Sequence, residues 1–246
     1  MTFKRPSREH NQLLAGLPPP DWRRLQCQLE LVELAAGTVL HEAGSVLRHV
    51  HFPTTAIVSL MSSMRDGDGA EVAAVGNEGV VGVCAFMGGG PALSSAVVQS
   101  AGLGWRIGAR SIADEARGSE AVMRQLLRYT QALFADMAQT SACHRLHALD
   151  QQLCRWLLQQ LDRHGSGDIH VTQERIAAML GVRREGVTVG AQKLLKVGLI
   201  HTTRGRISVL DRVGLERRSC ECYAVARQAY ERLLSGSLPG PAAIAG

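Results

Sequence analysis

Between Glu120 and Cys143 the chain contains neither Pro nor Gly, and Val122, Leu126, Tyr129, Leu133, Met137 and Thr140 recur at 4-3-4-4-3 spacing. That periodicity predicts one long helix with a single apolar seam, widened by Met123, Leu127 and Phe134. Two partners fit such a seam. It can lie on the chain's own core, or pair with the same helix of a second chain as in a parallel coiled coil. Beyond it, Leu149, Leu153, Trp156, Leu157 and Leu161 predict a second helix over 149–161.

Upstream, the signal is different. Short β-like segments are expected at Leu31–Leu34, Val39–His41, Val50–Phe52, Ala56–Met61, Glu71–Val75, Ala96–Gln99 and Leu103–Ile107, separated by turn signals such as Glu42-Ala43-Gly44 and Asp66-Gly67-Asp68-Gly69. Regularly spaced short strands read as an antiparallel barrel or roll. A small helical lead-in, interrupted by Pro18-Pro19-Pro20 and starting near Asp21, precedes them.

The chain has 246 residues, with 46% hydrophobic and 20% charged. That suffices for a sizeable core and argues against disorder. The longest apolar run, Gly79 to Met87, is far short of the ~18 residues of a membrane span. The start MTFKRPSREHNQLL shows no apolar stretch behind its basic residues, so a cytoplasmic protein without membrane contact is expected. The six cysteines contain no CxxC pair, which argues for reduced thiols and against a zinc ribbon. The net charge of +5 is unevenly placed. Val171 to Arg218 holds ten Lys/Arg against four Asp/Glu, a surplus of six, and leaves −1 for the rest. A concentrated basic stretch of this kind is a nucleic-acid footprint.

Within that stretch Thr172 can cap a short helix ending at Leu180, and Gly181 can make the tight turn after it. A second helix is expected from about Arg183 to Val197, stopped by Gly198. Leu199–Thr203 and Arg206–Leu210 read as two strands around Arg204-Gly205, and Asp211 as the cap of a final helix ending near Leu234. The Arg163–Asp168 stretch reads as a linker, and 236–246 as a flexible tail. Helix, short turn, helix and β-hairpin make a winged helix-turn-helix.

At VTQERIAAMLGVRREGVTVGAQKLLKVGLI, followed by RGRISVLD, the chain resembles the DNA-binding domain of Crp/Fnr-type bacterial transcription regulators. The order of barrel, long helix and winged helix-turn-helix extends the resemblance over nearly the whole chain. The implied fold is α+β: an N-terminal antiparallel, cyclic-nucleotide-binding-like β-roll (1–118), long linking helices (119–164), a winged helix-turn-helix (165–235) and the tail (236–246). The resemblance further implies a homodimer joined along the long helix, with Val122, Leu126, Tyr129, Leu133 and Met137 at the seam. It implies double-stranded DNA with an inverted-repeat operator as partner, and RNA polymerase and a small-molecule effector as further candidates.

Recognition helices present their N-terminal residues to base edges in the major groove. Here these are Arg183, Arg184 and Glu185. Arg can donate to guanine O6 and N7, and Glu can accept from cytosine N4. Arg184 and Glu185 match the Arg-Glu pair with which family members read bases. Thr188 shares that face, and Lys193 lies further along for backbone contact. Thr172 and Gln173 can bond phosphate at a helix start, and Arg204 and Arg206 can do so from the wing. The next base-reading position falls on Val189, which cannot donate a bond. Gly186 and Gly190 each cost ~1 kcal/mol of helix propensity, a loss that packing is expected to tolerate.

The sensor half departs from its relatives. Cyclic-nucleotide domains hold the phosphate with a Gly-Glu pair and, some ten residues later, an Arg. Gly82 is followed by Val83 where Glu would stand, Ser94 falls where Arg would stand, and no Arg or Lys occurs between Arg65 and Arg106. An anionic phosphate without a counter-charge is costly to bury. Cyclic AMP binding in the usual manner is therefore not expected. Gly82, Val83, Cys84, Ser94 and Ser95 are left as the candidate effector pocket, with Cys84 as the candidate redox thiol. His49 and His51 share one face of a strand.

No Ser/His/Asp or paired-carboxylate arrangement has sequence support, so no enzyme and no cofactor are expected. Cys143, His144 and His147 sit at the junction of the two long helices, where a hinge or core role is the commoner one. Cys220 and Cys222, read as part of one helix, would point ~200° apart, which disfavours joint chelation. No metal is expected. The alternative to a regulator is a ligand-binding or protein-interaction module of the same fold that has lost operator binding.

Overall fold

The computed structural model describes residues 7–65, 69–164 and 167–234. The expected turn at 66–68, part of the linker (165–166) and the tail lie outside the described residues.

A 3-10 turn, Arg8–His10, and helices α1 (Gln12–Ala15) and α2 (Pro19–Gln26) open the chain. α2 starts at Pro19 and not near Asp21. Proline's fixed φ suits the first helical position, where its missing N–H is no loss, so these prolines begin the helix they were expected to interrupt. All seven expected strands form: β1 (Glu30–Leu34), β2 (Val39–His41), β3 (His49–Pro53), β4 (Ile57–Ser63), β5 (Gly69–Val75), β6 (Ser95–Ser100) and β7 (Gly102–Gly108). A short helix, α3 (Cys84–Met87), lies between β5 and β6. The strands pair antiparallel in two sheets of order β1-β7-β3 and β2-β6-β4-β5. Register sets Leu31 opposite Trp105 and Phe52 opposite that same Trp105, while Ser59 faces Ala74 on one side and Val97 on the other. Alternation turns Phe52, Val58, Leu60, Ala73, Val98 and Ile107 into a core that includes few aromatic side chains.

α4 (Ala109–Gly118) leads to α5 (Glu120–Leu146), whose start is capped by the Ser119 hydroxyl accepting from the Val122 amide at 3.4 Å. The seam of α5 faces its own chain. Val122, Leu126, Tyr129 and Leu133 are fully buried in the roll core, and Met137 packs beside them. This corrects their expected place at a dimer seam: the roll has a large apolar edge to cover, and the nearest wide apolar face is the one joined to it. The face of α5 left open carries Leu127 (46% exposed) and Phe134 (55% exposed).

α6 (Leu149–His164) follows after a break at His147 and Ala148. Asp168, read as the end of the linker, begins a strand, β8 (Asp168–His170). β8 has the alternation of a strand only over three residues, too short to register as a period. α7 (Gln173–Leu180), α8 (Arg184–Lys196), β9 (Ile200–Thr203) and β10 (Arg206–Val209) complete the winged unit, with sheet order β8-β10-β9. Asp211 caps α9 (Arg212–Arg218) by accepting from the Gly214 amide at 2.8 Å. The expected single final helix is broken at Ser219–Glu221, and α10 (Cys222–Leu234) returns to lie along α5. There Tyr230 and Leu234 join the roll core, and the Tyr129 and Tyr230 rings stand 6.3 Å apart.

The winged unit is fastened to the roll through polar side chains. Arg163 of α6 donates to Glu78 at 2.9 Å and to the Ala74 carbonyl at 2.9 Å, and Gln99 donates to Gln160 at 2.9 Å. Beside them Glu71 on β5 is buried and accepts from the Ser59 hydroxyl. Burial pushes its carboxyl up to about 7, against the opposing pull of the Ser59 hydroxyl and the Arg163 charge, while Asp136 adds to the rise. In the unfolded chain the group titrates near 4.5. Between these values the folded chain keeps a proton that the unfolded chain releases, so stability falls as pH rises from about 4.5 to about 7 and is level above. Such a shift corresponds to roughly 3 kcal/mol. Glu71→Gln is expected to shrink the difference in unfolding free energy between pH 4.5 and pH 8 by about that amount. Denaturant titrations at the two pH values check it; an unchanged difference would assign the slope elsewhere.

Candidate nucleic-acid interface

Thr172 opens the helix-turn-helix as the cap of α7, its hydroxyl accepting from the Arg175 amide at 3.2 Å. Gly181 ends α7 with φ +63 and ψ 38, the left-handed conformation that a residue with a Cβ adopts at a cost. The chain then turns directly into α8, which begins at Arg184 with Arg183 in the extended cap position. Val187, Gly190, Ala191 and Leu194 are buried, which turns the opposite face of α8 outward.

That outward face carries Arg184, Glu185, Val189, Gln192, Lys193 and Lys196, all exposed, with Arg183 just before it. Thr188 lies among them, but its hydroxyl donates to Gln173 at 2.8 Å and approaches the Arg184 carbonyl at 3.1 Å. The pair Thr188–Gln173 therefore ties α8 to the start of α7, and the Gln173 amide N–H is what remains to meet a phosphate. Gln192 and Lys196 are additions that the structure makes to the sequence-predicted set. Their signal lies in the helical period, which repeats the open face of Glu185 and Val189 one turn on at Gln192 and two turns on at Lys196.

Gly186 and Gly190 both face α6. A Cβ at Gly186 would stand 2.8 Å from Leu149 Cδ2, and one at Gly190 would stand 3.3 Å from Leu153 Cδ2. Side chains at these two positions would require the tips of Leu149 and Leu153 on α6 to shift. The glycines face the protein, where packing tolerates their propensity cost.

On the wing, Gly205 turns the β9–β10 hairpin with φ +74, and Arg204 and Arg206 are exposed beside it. Arg206 stands 3.6 Å from Asp168 on β8, which also accepts from Ser208 at 2.6 Å. Part of its charge is thus balanced within the wing. Three more of the ten cations are engaged away from the open face: Arg212 with Asp162 (2.6 Å) and Glu216 (3.0 Å), Arg218 with Asp150 (3.1 Å), and Arg217 with Asp211 (3.9 Å). The cations of the ten outside these ion pairs are therefore Arg175 on α7, Arg183, Arg184, Lys193 and Lys196 at α8, and Arg204 at the wing tip.

This arrangement is shared with known proteins. Residues 151–218 match the model of the Crp-like helix-turn-helix domain, and residues 31–118 match the model of the cyclic nucleotide-binding domain. The chain belongs to the Crp/Fnr family. Among solved structures, a putative Crp/Fnr-family transcriptional regulator from Eubacterium rectale superimposes with TM-score 0.65 at 18% identity, covering 85% of this chain and 98% of its own. A CRP-family transcriptional regulator from Thermus thermophilus gives 0.64 at 20% identity over 76% of this chain and 96% of its own. FixK2 from Bradyrhizobium japonicum gives 0.62 at 16% identity over 78% and 98%. At such identities the likeness is one of fold. No curated protein sequence matches the chain. This Crp/Fnr-type chain is accordingly a transcription regulator with a DNA-binding helix-turn-helix. No helix among the described residues is long and apolar enough to cross a membrane.

In the N-terminal roll, Gly82 turns with φ +103 into α3, at whose start Val83 and Cys84 are half-buried, and Cys84 is a free thiol. Ser94 is half-buried before β6. Ser95 donates to Glu42 at 2.9 Å and accepts from the Ala43 amide at 3.0 Å. The charged neighbour of this serine is thus an acid. On β3, His51 is buried and His49 exposed, with rings 6.4 Å apart. Burial, reinforced by the positive charges of His49, Arg106 and His41, pushes His51 down to about 4, so it is neutral at ordinary pH.

Proposed function

We propose that the protein acts in the cytoplasm as a homodimer that binds an inverted-repeat operator through α8. The observation that carries this reading is the outward face of α8, where Arg184 and Glu185 stand exposed at the end that enters a groove. Arg183, Lys193, Lys196, Arg204 and Arg206 supply cations for the phosphates on either side. Thr172 and the Gln173 amide, at the start of α7, are placed for one more phosphate. Val189, 53% exposed, offers an apolar contact to a thymine methyl.

Dimerisation is supported by the open face of α5. Leu127, Gln131, Phe134, Ala138, Ser141 and Arg145 recur along it at 4-3-4-3-4 spacing, the 3.5-residue period of a two-helix seam. Twofold symmetry then sets the two half-sites about one helical turn, ~34–36 Å, apart. For the sensor, the acid at Ser95 and the lack of any Arg or Lys from 66 to 105 support a pocket that does not take cyclic AMP in the family's manner.

Selection of bound duplexes from a random library at about 150 mM salt, without added ligand, tests the reading, because the electrostatic share of binding depends steeply on salt. An enriched inverted repeat is the expected result. A preference in the selected sequences for single half-sites would overturn the dimer, and no enrichment with any nucleotide added would favour a module without operator binding. Arg184→Ala is expected to relax the preference at one base position per half-site and to cost ~1–3 kcal/mol per contact. An unchanged selection profile would remove Arg184 from the base-reading set.

A further inference from the structure

Four side chains from two distant parts of the sequence meet where α5 ends. Cys143 lies in the last turn of α5, and His147 follows as its extended cap, its amide donating to the Cys143 carbonyl at 3.0 Å. Cys220 and Cys222 come from the break between α9 and α10. Because Cys220 precedes the helix that Cys222 begins, the ~200° divergence expected of a continuous helix does not apply. Both thiols turn inward, and Cys143, Cys220 and Cys222 form a small buried cluster of their own.

The ligand atoms of all four residues lie within 4.8 Å of one another. Cys143 Sγ is 3.5 Å from Cys220 Sγ, and Cys222 Sγ is 3.4 Å from His147 Nδ1. Zinc with sulfur at ~2.3 Å and nitrogen at ~2.0–2.1 Å in a tetrahedron sets two sulfurs ~3.8 Å apart and sulfur and nitrogen ~3.5 Å apart. The observed spacings fall around these values and far above the ~2.05 Å of a disulfide. The surroundings fit as well. Gln139 Nε2 donates to Cys222 Sγ at 3.0 Å, and His147 Nε2 faces Glu221 at 3.4 Å, so the imidazole is held with Nδ1 towards the sulfurs. A carboxylate behind a histidine ligand and an N–H donor to a thiolate are the outer partners such sites use. Gln152 donates to the His147 carbonyl at 2.9 Å, fixing the backbone of the same turn.

We propose that Cys143, His147, Cys220 and Cys222 form a tetrahedral site for a thiophilic divalent cation of the zinc type. The chemistry selects it: three thiolates and one imidazole suit a soft or borderline ion and not magnesium or calcium. Binding forms three metal–sulfur bonds and one metal–nitrogen bond, and the three thiol protons leave to solvent. With four protein ligands the site is closed, so its role is structural. It pins the α9–α10 junction to the end of α5, beside the His147–Ala148 break across which the winged unit is attached to the roll.

Cobalt(II) titration of the full-length, thiol-reduced protein tests the site directly. Expected are one tightly bound equivalent per chain, intense visible ligand-field bands of tetrahedral cobalt, a near-ultraviolet thiolate charge-transfer band, and displacement by one equivalent of zinc. Cys220→Ser and Cys222→Ser should each abolish the tetrahedral spectrum, whereas the double variant Cys27→Ser, Cys84→Ser should leave it unchanged. Gln139→Leu keeps all four ligands and is expected to weaken cobalt affinity by about 10–100-fold, which provides a readout if the cysteine variants fail to fold. No stoichiometric binding, an octahedral spectrum, or a Cys143–Cys220 disulfide persisting in the reduced protein would each overturn the proposal.

Discussion

Asp136→Ala is expected to lower the unfolding free energy by about 3–5 kcal/mol, the cost of leaving one member of a buried ion pair without its partner. Asp136 on α5 accepts from Arg155 on α6 at 2.8 Å, and the two side chains are 3% and 4% exposed. Arg155 also donates to Thr140 at 2.6 Å, and Gln159 donates to Asp136 at 3.2 Å, so a small network ties the two long helices together. For a chain of this size the loss corresponds to a drop in Tm of roughly 10 °C. Thermal unfolding followed by circular dichroism measures it. The double variant Asp136→Leu, Arg155→Met removes both charges and is expected to recover most of the loss, because an apolar pair avoids the desolvation of two ions. A single variant as stable as the parent would show that the pair is not formed in solution. Since the pair crosses from α5 to α6, its loss should also loosen how the winged unit is held.

The second large effect concerns the open face of α5. Phe134→Asp is expected to convert the proposed dimer to monomers at micromolar concentration. Burial of a phenylalanine side chain is worth about 2–3 kcal/mol, and symmetry counts Phe134 twice, giving roughly 4–6 kcal/mol, or three to four powers of ten in the dissociation constant. Operator affinity should fall by at least about 100-fold, because the second half-site is then no longer bound within one molecule. Sedimentation and duplex binding measure the two effects. The folding stability of the monomer should hardly change, since Phe134 is exposed within one chain. Leu126→Asp is the contrast: that side chain lies in the roll core, and its replacement should unfold the protein. If Phe134→Asp left the mass of the particle unchanged, the interface would lie elsewhere.

These two variants separate what each side of α5 does, and they show where sequence was informative. Local signals located nearly every element. The strands appeared where turn residues and alternation put them, and α7 runs from the Thr172 cap to the Gly181 turn, because caps and positive-φ glycines act within a few residues of themselves. The outward face of α8 was legible for the same reason: a helix period carries its own inside and outside. The charge surplus of 171–218 was legible as a sum, though not the engagement of Arg212, Arg217 and Arg218 with acids near α9.

Sequence by itself determined the class of fold, the order of its parts and the outward face of α8, because periodicity and local chemistry are properties of contiguous residues. Only the tertiary structure decided which neighbour each apolar face takes. The seam of α5 has the same spacing whether it meets a second chain or its own roll, and covering the larger apolar area settled it for the roll. Likewise, no spacing in the chain brings Cys143 and His147 to Cys220 and Cys222. Their meeting depends on α10 folding back along α5 after a helix break at Ser219–Glu221, a long-range event that leaves no local period to read.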